Sequence, residues 1–295
     1  MRLCPACLRP VHAPDWTCRL CGHRPQAAGE VLLLAPHLLG LPGTFPAEGF
    51  ARLAAREDAN YWFRARNRLI VWALRRHFPR LRDYLEVGCG TGYVLGAVEA
   101  AFPAATTVGS DAHVAGLEYA ARRVRRSRLL QMDAASTLFR DEFDAVGCFD
   151  VLEHIEEDRR VLAQCFLALR RGGGIVLTVP QHPFLWSASD EYTKHARRYT
   201  RDELLGKLHE AGFRTLLVTS FVALLFPAML AARARRRHLD AGYDPDAEFA
   251  VGRIANALLE GVLDLERQLI RLGLRFPFGG SLLVVARKPD VDPVQ

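Results

Sequence analysis

The chain has 295 residues, 50% of them hydrophobic and 24% charged, with a formal net charge of +6. That composition belongs to a globular protein and excludes a disordered, collagen-like or coiled-coil chain. Of the 39 basic residues only Lys194, Lys207 and Lys288 are lysines; the small positive excess admits nucleic acid, anionic lipid or an acidic substrate without selecting among them.

The first element in chain order is a cysteine cluster. Four of the seven cysteines fall within 18 residues as Cys4-x2-Cys7-x10-Cys18-x2-Cys21. Two CxxC turns place four thiolates around one tetrahedral ion, the closed arrangement of structural zinc. Paired disulfides suit a cytoplasmic chain poorly, and a redox CxxC needs a thioredoxin-like context that is missing here. Residues 1–24 therefore read as a zinc ribbon that folds by binding its metal. Residues 25–46, rich in Pro, Gly, Ala and Leu, read as a linker in which VLLLAPHLLGLPG can form a short strand or packed connector. No secretory leader pattern opens the chain, so a cytoplasmic location is expected.

Residues 47–295 read as the main domain. Helical periodicity runs in two pieces from Ala47 to Phe78. Beyond Arg82, β-like runs alternate with helical ones: DYLEVG, TTVGSD, RLLQMD, FDAVGCFD, GGIVLTVP, FRTLLVTS and GSLLVVARK. Helices are expected at about 91–101, 112–126, 156–170 and 200–212. Such alternation predicts βαβ units and a mainly parallel α/β sheet. A helical insertion, 221–280, separates the last two strands. Its apolar run Ser220–Ala232 spans 13 residues and contains Pro227, short of the roughly 20 that cross a bilayer.

The run LEVGCGTGYVL is a buried strand, a glycine turn and a helix start. Gly88, Gly90 and Gly92 let backbone approach a ligand at a helix N-terminus. The dinucleotide pattern G-x-G-x-x-G fails, because its third glycine falls on Tyr93 or Leu95. Three carboxylates stand on successive strands: Glu86 before the loop, Asp111 at the end of the second strand, and Asp133 at the end of the third. A strand-end carboxylate after such a loop can accept both ribose hydroxyls.

On these residues the chain resembles the class I S-adenosylmethionine-dependent methyltransferases, over about Asn60 to Pro289. The resemblance rests on LEVGCGTGYVL, Asp111, MDA, FDAVGCFDVLEHIEED and LRRGGGIVLTVP. It implies a seven-stranded, mostly parallel Rossmann-like sheet in the order 3-2-1-4-5-7-6. It implies that Gly88, Gly90 and Gly92 cradle the methionine part of the cofactor, that Glu86 orients the loop or the ammonium group, that Asp111 holds the ribose with Asp133 and Ala134 at the adenine, that Phe149 and Asp150 flank the methionine and the methyl group, and that Cys89, Tyr93, Ala112 and Met132 belong to the same cofactor site. His154 and Asp150 are the catalytic candidates, should the acceptor need to lose a proton.

Two segments frame the pocket. In YWFRARNRL, Trp62, Phe63, Arg64 and Arg66 are candidates to bind the acceptor. In the loop 180–204 the candidates are His195, Arg198 and Tyr199, and Thr200 with Glu203 reads as a capping box. The insertion can be a packed cap, a dimer interface, or an interfacial element whose Arg233, Arg235, Arg236 and Arg237 meet anionic lipid. The expected activity is methyl transfer to a small-molecule or lipid-linked acceptor. The alternatives are an RNA methyltransferase guided by the ribbon and a non-catalytic zinc-ribbon adaptor. The oligomeric state is open.

Overall fold

The computed structural model describes residues 1–39, 45–234, 244 and 251–290. A small hairpin, β1 (Arg2–Leu3) with β2 (Pro10–Val11), opens the chain, followed by β3 (Gln26–Ala28) and β4 (Val31–Leu33). Helices α1 (Ala47–Arg56) and α2 (Tyr61–His77) lead into an alternating series. It runs β5 (Asp83–Val87), α3 (Tyr93–Ala101), β6 (Thr106–Asp111), α4 (Val114–Arg123), β7 (Arg128–Gln131), β8 (Phe143–Phe149), α5 (Asp158–Ala168) and β9 (Leu169–Pro180). The remainder is α6 (Ala188–Tyr192), α7 (Arg201–Glu210), β10 (Arg214–Phe221), α8 (Phe226–Ala234), α9 (Arg253–Arg271) and β11 (Ser281–Arg287).

The central sheet is ordered β10-β11-β9-β8-β5-β6-β7-β4-β3. Seven of these strands stand in the predicted order, with β11 inserted antiparallel between β9 and β10. Among the described residues the sheet has nine strands, not the seven expected. The added pair is the β3–β4 hairpin, from the segment read as a linker. β4 pairs in parallel with β7, from Val31↔Leu129 to Leu33↔Gln131, and the Gln131 side chain holds both backbone groups of Ala35. An unpaired edge exposes its N–H and C=O groups, and β4 covers the edge that β7 would otherwise present.

The parallel strands are buried on both faces, as crossover helices require. One face packs against α5 and α7 through Val161, Leu162, Cys165, Leu204 and Leu208. The other packs against α2, α3, α4 and α9 through Leu69, Ile70, Leu74, Leu95, Leu117, Leu263 and Ile270. Among the described residues no helix is long and apolar enough to cross a membrane.

The ribbon seats at the start of β8. Leu3 N–H donates to Leu138 O at 2.8 Å, Arg2 Nε pairs with Glu142 at 2.9 Å, and fully buried Trp16 meets the Phe139 ring edge-on at 5.5 Å. The insertion supplies α8 and α9. Arg235, Arg236 and Arg237 lie outside the described residues, as does the Arg233 side chain.

Candidate active site

The carboxyl ends of β5, β6, β7 and β8 open on one cleft of about 1310 Å³. Its floor is the turn after β5. Gly88, Gly90 and Gly92 all adopt positive φ, at 69°, 50° and 74°, where side chains with a Cβ are strained. At Gly88 space forbids one as well: a Cβ would lie 2.3 Å from Val151 Cγ2. Gly92 caps α3, so the helix's first N–H groups face the turn.

Asp111 fixes this turn from the end of β6. Its carboxylate accepts from Gly90 N–H at 2.9 Å and from His113 N–H at 2.8 Å. Burial raises its pKa, against those backbone donors. Asp133 at the end of β7 accepts from Ala135 N–H at 2.8 Å and caps a short 3-10 turn. Glu86 is buried within β5, where Tyr84 Oη donates to it at 2.9 Å. Burial pushes the Glu86 pKa up to about 8.

The cofactor candidates Glu86, Gly88, Cys89, Gly90, Tyr93, Asp111, Ala112, Met132, Asp133, Ala134 and Phe149 all line the cleft. Gly92 stands behind them as the helix cap. A second wall of the cleft is built by the end of β8 and by α2. Asp150, at positive φ, ion-pairs with Arg66 at 2.6 Å and accepts from Thr178 Oγ1 at 3.1 Å. The Arg66 guanidinium stacks over Trp62 at 5.2 Å and Phe149 at 6.0 Å. Opposite lie Glu153, His154 and His195. The two imidazoles meet edge-to-face at 4.7 Å, and His195 Nδ1 is 2.8 Å from Asp190 Oδ1. Burial and the charge of Asp150 lift the Glu153 carboxyl well above its usual range.

The family described as "Methyltransferase domain" matches residues 85–177, which contain the glycine turn and all the strand-end carboxylates. A Mycolicibacterium smegmatis protein named "Probable S-adenosylmethionine-dependent methyltransferase" is 30% identical over 176 residues, 59% of this chain and 67% of that one. The chain belongs to the S-adenosylmethionine-dependent methyltransferases. A Mycobacterium tuberculosis protein of similar name is 31% identical over 177 residues, 58% of this chain and 62% of its own length. The match thus spans about two thirds of each relative. Among solved structures, Haemonchus contortus phosphoethanolamine N-methyltransferase 2 shares the fold at TM-score 0.51 and 18% identity, covering 75% of this chain and 52% of its own. The N-methyltransferase NodS of Bradyrhizobium japonicum does so at TM-score 0.51 and 15% identity, covering 84% and 100%.

Two acceptor candidates of the methyltransferase stand away from the cleft wall, and a third is held at it by another partner. Arg64 turns to α9 and pairs with Glu260. Tyr199 is fully buried, its hydroxyl donating to Asp158 Oδ2 at 2.7 Å, the same oxygen that Lys207 reaches at 2.6 Å. Arg198 lines the cleft, but its Nε is spent on Asp190 at 2.7 Å. Trp62, Phe63, Arg66 and His195 do line it. Thr200 caps α7 as expected, accepting from Glu203 N–H at 3.3 Å; the Glu203 carboxylate goes to Lys207 instead of closing the box.

The sequence reading missed the lid. Helix α1 lies over the cleft, with Phe50 5.7 Å from the His113 ring and Phe45 5.8 Å from that of His154. Its far end is clasped to the glycine turn. Thr91 Oγ1 donates to Glu57 at 2.7 Å, and Arg123 binds both Glu57 and Thr91 O. The only sequence signal was the amphipathic Ala47–Arg56 run, which any surface helix shows.

In the ribbon, Cys4 Sγ lies 3.7 Å from Cys21 Sγ, and Cys7 Sγ 3.8 Å from Cys18 Sγ. All four sulfurs fall within 4.8 Å of one another. Bonds of about 2.3 Å in a tetrahedron give sulfur–sulfur edges of about 3.8 Å, so the cluster has the size of a tetrahedral metal site. Leu8 N–H to Cys4 O and Gly22 N–H to Cys18 O, both 2.9 Å, close the two turns.

Proposed function

We propose that this methyltransferase moves the methyl group of S-adenosylmethionine to a lipophilic small-molecule or lipid-linked acceptor. The residues present fit the cofactor. A Cβ at Gly90 would enter the open cleft, where among the described residues only Phe50 comes within 4 Å, Asp111 has unused lone pairs for ribose hydroxyls, and Glu86 is placed for the ammonium group. Bound there, the cofactor supplies an already activated methyl on sulfur. The protein's part is alignment and exclusion of water. The Arg66–Asp150 pair fixes the end of β8 at the cleft, and Phe45 and Phe50 close the roof. Glu153, His154 and His195 form the polar face against which the acceptor is activated.

The observation that carries the acceptor class is the opposite wall. Val222, Leu225, Ala228, Met229 and Leu259, from the insertion, line the cleft together with Trp62 and Phe63. The exposed face of α9 continues this character: Ile254, Leu258, Leu265 and Leu272 are each more than half exposed. An amphipathic helix with such a face suits a lipid surface. A Psychrobacter arcticus protein named "Ubiquinone biosynthesis O-methyltransferase" is 30% identical over 111 residues, 35% of this chain and 42% of that one. RNA guided by the ribbon has less support. Among the described residues, none of 1–24 lines the cleft, and the ribbon seats at the opposite end of β8. The ribbon itself holds one structural Zn2+ on Cys4, Cys7, Cys18 and Cys21.

Incubation with methyl-labelled cofactor and cell extract tests this reading. Label is expected in the organic-extractable fraction, and label confined to RNA or protein would overturn it. Co-sedimentation with anionic vesicles at low salt tests the α9 surface; no lipid-dependent pelleting would end that part.

A further inference from the structure

The polar face of the methyl-transfer cleft holds one buried carboxylate oxygen whose counterpart the proposed function does not name. Glu153 is 1% exposed, and among the described residues its Oε2 has no hydrogen-bond partner. A buried carboxylate oxygen without a donor is costly. The two buried arginines of the region are committed elsewhere, Arg66 to Asp150 and Arg198 to Asp190. What does face Glu153 is a pair of imidazoles. Glu153, His154 and His195 each bring one ligand atom to within 4.8 Å of the others.

The His195 ring is held as a metal-bound histidine is held. Asp190 Oδ1 sits on Nδ1 at 2.8 Å, which leaves Nε2 as the coordinating nitrogen. Asp190 is fully buried and anchored in turn. Ser187 donates to Oδ2 through its N–H at 2.8 Å and its hydroxyl at 3.1 Å, and Arg198 Nε reaches Oδ1 at 2.7 Å. A carboxylate behind a ligating imidazole fixes its tautomer and orientation. The two segments are also tied directly, since Ala196 N–H donates to Glu153 O at 2.6 Å.

We propose that Glu153, His154 and His195 bind a divalent transition-metal cation, with Asp190 as a positioning residue behind His195. Two imidazoles and one carboxylate suit ions such as Zn2+ or Mn2+ and leave coordination positions open. Those positions face the cleft, so the ligand they take is an oxygen of the methyl acceptor. The acceptor class is therefore a hydroxyl compound. Held on the cation, its O–H is acidified and loses the proton to water. The oxygen attacks the methyl carbon as the carbon–sulfur bond breaks, and the electron pair stays on sulfur. The products are an O-methyl ether and S-adenosylhomocysteine.

The test is Mn2+ titration of the full chain, followed by electron paramagnetic resonance, with the ribbon loaded with zinc. Mn2+ stands below Zn2+ in affinity at any such site and leaves the thiolates undisturbed. The parent is expected to bind one Mn2+. Glu153→Gln and His195→Gln should each weaken it at least tenfold, and Asp190→Asn, which touches no ion, by about 10–100-fold. Calorimetric cofactor affinity, unchanged in the variants, verifies that each has folded. His195→Gln, on the loop, serves if Glu153→Gln does not fold. A parent that binds cofactor but neither Mn2+ nor zinc beyond the ribbon's one overturns the inference and leaves the methyltransferase reading standing. So does undiminished Mn2+ binding in both variants. A parent that binds no cofactor fails the underlying reading instead.

Discussion

Arg66 on α2 reaches Asp150 at the end of β8 with a 2.6 Å ion pair, and its guanidinium lies against two aromatic rings, Trp62 and Phe149. The pair ties the helix that precedes the sheet to the strand end beside the cofactor cradle. Arg66→Met leaves the Asp150 carboxylate, a quarter exposed, without its cation. The expected loss is about 2–4 kcal/mol of stability, toward the low end for breaking a buried pair. Turnover should fall at least a hundredfold, because a shift of about 1 Å at the reacting end costs that much. Urea unfolding and labelled-methyl transfer check the two effects. An Arg66→Met/Asp150→Asn chain should recover part of the stability, and a double-mutant cycle that shows no coupling would refute the pair's role.

Gly88→Ala should abolish tight cofactor binding, by at least a hundredfold in Kd. The new Cβ falls 2.3 Å from Val151 Cγ2 at a backbone φ of 69°. Adding Val151→Ala relieves the contact but not the left-handed backbone, so recovery should be partial. Gly261→Ala is the control. It sits within α9 with nothing within 4 Å of the new Cβ, and should stabilise the protein by up to about 1 kcal/mol. Calorimetry and thermal melting read both.

The Glu86 carboxyl gives a pH signature. Its pKa in the folded protein, about 8, lies above the ordinary 4.5 because of burial. The folded state therefore holds the proton more tightly than the unfolded chain. That contribution to stability is complete below pH 4.5 and is lost as pH rises toward 8. Glu86→Gln should flatten this decline in a series of melts. If Glu86 meets the cofactor's ammonium, binding ionises it and releases a proton. Affinity should then rise with pH up to about 8 in the parent, and not in Glu86→Gln. Calorimetry in buffers of different ionisation enthalpy counts the proton.

Purified protein should carry one zinc per chain, lost on Cys4→Ser with Cys21→Ser. Without metal, residues 1–24 should become protease-sensitive, because a segment of that size buries too little to fold without its metal, and its contacts to the main domain, such as Trp16–Phe139 and Arg2–Glu142, hold it at one edge. Cofactor affinity should be unchanged, since no described ribbon residue reaches the cleft. A parallel loss of cofactor binding would show that the ribbon supports the site.

The features legible in the sequence are those set by local spacing. Alternating strand and helix patterns, with glycines at 88, 90 and 92 and carboxylates at the ends of β6 and β7, predict the seven-strand order and the glycine turn that floors the cleft. In both cases the physics is contained in a few consecutive residues. The four ribbon cysteines are legible for the same reason, since two short turns by themselves converge four sulfurs.

Tertiary structure alone decided which distant partner each side chain would meet. VLLLAP lacks the alternation that marks a half-buried strand, and β4 becomes one only because β7, about a hundred residues later, offers it an edge. Tyr199 and Arg198 sit side by side in sequence as apparent substrate ligands; Asp158 takes the first into the core and Asp190 takes the second at the cleft wall. Phe50 roofs the cleft because Glu57, at the end of its helix, finds Thr91 and Arg123 on the other side. Glu153, His154 and His195 meet because the loop after β9 folds back on the turn after β8. Periodicity assigns a residue to a face of its own element, but the packing of elements decides what that face touches.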